Sequence, residues 1–105
     1  MKRLLLLVLF TIPYFSNSST LLVSKIIKKP SSCDYFIAYN ELGYVVAEYN
    51  SGHEFEEGEI ILGNINKYGE VKIYDSELEE SADIYIEDYK MKKEQALELI
   101  IEKCD

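Results

Sequence analysis

The sequence predicts a mainly β (α+β) fold: a small five-stranded antiparallel barrel or bent sheet, SH3-like or OB-like, with one C-terminal helix packed on it. Three observations predict it. Five short runs rich in Ile, Val and Tyr are separated by turns containing Gly, Asn or acidic residues. Two of those runs, Glu70–Asp75 and Asp83–Asp88, alternate inward apolar and outward polar positions. The final stretch, from Lys92 to Cys104, changes to helical spacing, with Ala96, Leu97, Ile100, Ile101 and Cys104 on one stripe.

The chain has 105 residues, which sets one domain as the default. Its first residues are expected to stand apart from that domain. Met1-Lys2-Arg3 is basic, Leu4 to Ile12 is apolar except for Thr11, and Ser16-Asn17-Ser18-Ser19-Thr20 is small and polar. That order predicts a secretory signal peptide over residues 1–18, cut after Ser18. The competing reading is an uncleaved anchor. A spanning helix needs about 20 apolar residues, and Pro13 interrupts a run shorter than that. The expected product is exported, to a periplasm or the medium, with no stable membrane anchor after cleavage. Residues 19–32 are expected to form an N-terminal arm or edge strand stopped by Pro30, and residues 33–105 the β-rich domain.

Within that domain, Cys33–Tyr39 and Tyr44–Tyr49 flank the turn Asn40-Glu41-Leu42-Gly43 and predict a hairpin. Both faces of both runs are largely apolar, so this hairpin should be covered on two sides. Asn50 to Gly58 is a polar loop in which Phe55 should plug the core edge. Glu59–Gly63 is expected as a short buried strand. Asn64–Gly69 turns the chain into Glu70–Asp75. Ser76 with Glu79 fits a capping box and predicts one helical turn before Asp83–Asp88. The terminal helix carries unfavourable charges. Lys92 and Lys93 sit at its positive end, and Glu94, Glu98 and Glu102 repel one another at i+4 spacing. It has to be docked to persist.

Two cysteines in an exported chain predict one disulfide, Cys33–Cys104. Closing a loop of about 70 residues adds about 4 kcal/mol in the chain-entropy picture. The formal net charge of −8 falls to −10 when Lys2 and Arg3 leave with the signal. This balance excludes nucleic acid, whose phosphates need Lys and Arg clusters. It favours a basic partner or a cation.

No motif for catalysis or for a cofactor stands out, so no enzyme activity and no cofactor is expected. The leading expectation is a disulfide-stapled module that binds a protein or peptide. Tyr74 and Tyr85 fall on the outward phase of their strands and are the candidate binding face. The alternative is a divalent-metal, calcium-type module using acidic loops 53–59 and 64–75. Its candidate ligands are His53, Glu54 and Glu56 in the first loop and Asn64, Asn66 and Asp75 in the second. The second loop matches the calcium-loop register at four positions only. It has Asn at the first and Tyr68 at the fifth, so a plain hairpin turn competes with it.

Overall fold

The computed structural model describes residues 22–105. The expected signal peptide, residues 1–18, and the start of the expected arm lie outside them. The elements are β1 (Val23–Lys28), β2 (Tyr35–Asn40), β3 (Gly43–Gly52), β4 (Ile60–Leu62), β5 (Gly69–Asp75), β6 (Ser81–Met91) and α1 (Lys93–Cys104). The strands close into one antiparallel barrel in the order β1-β2-β3-β6-β5-β4.

The barrel has six strands where the sequence predicted five. The extra strand is β1, drawn from the segment expected as an arm or edge strand. It is neither, because it pairs with β2 on one side and β4 on the other. Closure removes the open edge that a five-stranded sheet would present. The sequence hid this because one of the two inward positions of β1 is polar. Ser24 and Ile26 are buried, while Val23, Lys25 and Ile27 face out. Ser24 is tolerated inside because its hydroxyl oxygen accepts a hydrogen bond from Asn40 Nδ2 at 3.1 Å. Asn40 Oδ1 in turn accepts from the Leu42 N–H at 2.8 Å, which fixes the β2–β3 turn.

The predicted hairpin forms in register from Tyr35↔Glu48 to Asn40↔Gly43. Its two apolar faces serve two cores. Phe36, Ala38, Val45 and Ala47 point into the barrel with Ile26, Ile61, Ile73, Ile84 and Ile86. Ile37 and Val46 point outward and are covered by Ala96 and Ile100 of α1, with Met91. Phe55 and Ile65 come from loops and seal the barrel core. Each large core side chain buried here contributes about 1.5–3 kcal/mol of transfer free energy.

Three local expectations change. β4 is not buried throughout: Ile61 faces in, but Ile60 is 39% exposed, because successive strand residues take opposite faces. The helical stripe is rotated. Ile101 is 65% exposed, and Leu99 packs with the helix core in its place. The arc that meets β2 and β3 is centred on Ala96 and Ile100, which leaves Ile101 on the flank toward β1. No helical turn forms at Ser76. The β5–β6 connection is a turn organised by Asp75, whose Oδ1 accepts from the N–H groups of Glu79 at 2.8 Å and Glu80 at 3.2 Å. That acceptor competes with helix formation for the same donors.

The disulfide Cys33–Cys104 is present, with Cα atoms 5.5 Å apart. It ties the last residue of α1 to the segment leading into β2. At the other end of α1 the Lys92 N–H donates to Gln95 Oε1 at 3.1 Å, one half of a capping box. A Lys side chain has no acceptor for the other half. Lys103, in the last turn, lies 3.6 Å from Glu87 and 5.8 Å from the centroid of the Tyr35 ring.

Candidate functional site

Strand register places the exposed side chains in rows across the outer wall. Val23 stands opposite Leu62, and Leu62 opposite Tyr74, so three outward apolar residues cross β1, β4 and β5 side by side. Two residues along, Ile60 stands opposite Lys25, and Lys25 opposite Tyr39. The Tyr39 ring continues this second row to Tyr44 on β3, with centroids 4.6 Å apart. Val23 is 56% exposed and Tyr39 46%. No acidic side chain belongs to either row. Lys25 is the one charged side chain in the two rows.

Tyr74 and Tyr85 both point outward, at 37% and 43% exposure. The structure does not bring them together. Tyr74 pairs with Ser81, while Tyr85 pairs with Glu70, four residues away on β5, or about 13 Å along the strand. Tyr74 belongs to the apolar row. Tyr85 lies between Glu48 and Glu70, in acidic surroundings. Two further rings, Tyr68 and Tyr89, meet at 4.8 Å on another part of the surface. The Tyr68 hydroxyl donates to Asp88 at 3.1 Å, and that hydrogen bond pushes the phenol pKa up.

The acidic loop 53–59 is organised by a cation from the chain itself. Lys29 Nζ lies 3.2 Å from Glu54 and 3.6 Å from Glu56. The Lys29 N–H also donates to Glu57 at 2.7 Å. This cluster fastens the end of β1 to the loop. Both carboxylates are largely exposed, so each pair contributes under about 1 kcal/mol. His53 turns elsewhere: its Nδ1 is 3.7 Å from Glu80, and its ring meets Phe55 edge-on at 4.6 Å.

The second acidic loop is divided. Asn64 Oδ1 accepts from the Asn66 N–H at 3.3 Å, an ordinary turn contact. Asp75 lies at the far end of β5 and serves the β5–β6 turn. Among the described residues, no group of three or more His, Cys, Asp or Glu is placed to hold a metal ion. No helix among them is long and apolar enough to cross a membrane.

Asp75 has a consequence that can be measured. Desolvation pushes its pKa up, but the N–H groups of Glu79, Glu80 and Glu77, with His53 nearby, outweigh this and hold it below the ordinary 3.8. A carboxyl lowered on folding stabilises the fold fully above its unfolded value. The contribution is lost as pH falls through the folded value. Melting temperature should therefore drop as the pH is taken from about 4 toward 2, and Asp75→Asn should show a shallower slope over that range. Identical slopes for the two proteins would remove Asp75 from the acid response.

Tyr74 is legible from the sequence, but its neighbours are not. Val23 and Lys25 lie in the segment expected as an arm or edge strand, and Ile60 and Leu62 in a short strand expected to be buried. The signal was present as the alternation of Ser24 and Ile26 with Val23 and Lys25, and it was masked by the buried serine. No protein-family model, curated protein or solved structure matches the chain.

Proposed function

We propose that this protein is an exported, non-enzymatic module, held by one disulfide, that binds a protein or peptide on the outside of its barrel. The row Val23–Leu62–Tyr74, with Ile60 and Tyr39 beside it, supports this reading most. Exposed apolar side chains that adjoin one another mark an interaction surface more often than scattered ones do. The barrel interior offers no competing place. It is filled by Ile, Val, Phe and Ala side chains, and a recess between Phe36, Phe55, Ile73 and Ile84 measures only about 10 Å³. The disulfide supports an oxidising destination.

The test is capture from native extract on the immobilised, oxidised protein, set against a Val23→Ser/Tyr74→Ser variant. Both side chains are exposed, so the variant should fold and melt like the wild type. Loss of the captured protein by about tenfold or more in the variant is the expected result. Equal capture by both proteins would sink the assignment of this wall.

A further inference from the structure

We propose that the groove between α1 and β1 is a further docking site, separate from the Val23–Leu62–Tyr74 wall, and that its occupant is an extended peptide segment in which bulky apolar side chains alternate with carboxylates. The proposal rests on the reading of the protein as a protein- or peptide-binding module and adds a second place and the chemistry of what binds there. The helix lies over β2 and β3 and leaves the outer face of β1 uncovered. Between them is a recess of about 240 Å³ lined by Ile27, Lys28, Ile37, Tyr44, Lys93 and Leu97. Ile37 is buried and forms the floor. A bulge in β1 supplies one wall: Ile26 pairs with Ala38 and Lys28 with Ile37, so Ile27 is the extra residue between them. Past Lys28 a second recess of about 290 Å³ continues along the helix to Ile101 and Pro30. The exposed Ile101, unexplained by packing, lines this continuation. A twelve-residue helix is about 18 Å long, which about five extended residues would span.

Charge selects the occupant. Lys28 and Lys93 line the first recess, and Lys25 stands beside Tyr39, whose ring touches that of Tyr44. None of these three lysines takes part in an ion pair among the described residues, whereas Lys29, Lys72 and Lys103 do. The only carboxylate side chain lining either recess is Asp105, at the far end. Glu94 and Glu98 are exposed on the same helix but line neither recess. The positive end of the helix dipole adds to Lys93. The chain as a whole is acidic and would attract a basic partner from a distance. At the groove itself, a basic partner would meet unpaired lysines. A second copy docked groove to groove would bring its own lysines to the same place.

The test is fluorescence polarisation of the oxidised protein with three short labelled peptides, alternating leucine with glutamate, with lysine or with serine. The glutamate peptide should bind more tightly than the lysine peptide by about tenfold or more, with the serine peptide between. Lys28→Glu combined with Lys93→Glu should reverse that order. Ile101→Asp should weaken the glutamate peptide about tenfold, with an unchanged melting temperature, because Ile101 is exposed. No detectable binding at millimolar peptide, equal binding of all three peptides, or an order unaffected by the double charge reversal overturns the proposal. So does a dimer of the protein that Ile101→Asp dissociates, since the groove would then belong to a second copy. These results are separable from the broader reading. Native capture that depends on Val23 and Tyr74, without a peptide preference, leaves the binding module standing and removes only the groove.

Discussion

Replacing Cys104 with serine is expected to lower the stability of the fold by about 4 kcal/mol. The bridge joins residues separated by 71 positions, so its loss returns nearly the whole domain's chain entropy to the unfolded state. The native side adds to the effect. α1 contributes Ala96 and Ile100 to the second core, and its charges lend it little: Glu94 in the first turn and Lys103 in the last suit the helix dipole, but other charges oppose them. Lys93 sits in its first turn, and Glu94, Glu98 and Glu102 repel along one face. The disulfide holds the terminus that would otherwise fray. Urea titration of the wild type, Cys33→Ser, Cys104→Ser and the double variant measures this. All three variants should lose similar amounts, because each removes the same bond. Hydrogen exchange should show the largest loss of protection in α1, with the barrel strands affected less. A loss below about 1 kcal/mol in the double variant would mean that packing alone holds the helix, and the staple would carry no stability.

The legibility of this chain divides along one physical line. Local signals with a fixed geometry carried through. The turn Asn40–Gly43, the helix over Lys93–Cys104, the plug at Phe55 and the pairing of Cys33 with Cys104 all follow from side-chain chemistry within a few residues, or from there being only two cysteines. Features fixed by partners far along the chain did not. Ser24 reads as a surface residue until Asn40, sixteen positions away, is seen to satisfy it. Lys29 reads as part of a basic run until Glu54 and Glu56 are seen around it. The outward row of Val23, Leu62 and Tyr74 comes from three strands, and nothing local in any of them specifies that they adjoin. Tyr74 and Tyr85 do face outward as expected, but they stand apart for the same reason. Face was readable from period two, but register was not, and register decides which outward rings meet.

Gly52→Ala is expected to cost about 4 kcal/mol, a large effect for one added methyl group. Gly52 ends β3 opposite Ala82, with φ at +94°, in the left-handed region that disfavours side chains. A Cβ there would stand 2.6 Å from the Ser81 carbonyl oxygen and 2.8 Å from the Ala82 Cα. Both are backbone atoms of β6, so no side-chain rotation relieves the clash. Moving them apart would strain the Ser81 carbonyl, which accepts the His53 N–H at 2.8 Å, and the Gly52 carbonyl, which accepts the Tyr49 hydroxyl at 2.6 Å. It would also shift Ala82, which is part of the barrel core. Gly58 provides the control. Its φ is +93°, nearly the same, yet an added Cβ there meets nothing within 4 Å. Gly58→Ala should therefore cost only the conformational part, about 1–2 kcal/mol. The difference between the two variants in chemical denaturation isolates the close approach of β3 and β6 from the backbone preference. A difference near zero would mean that the two strands can part at this point without loss. The barrel would then not be closed as tightly beside the acidic loop as the register Gly52↔Ala82 requires.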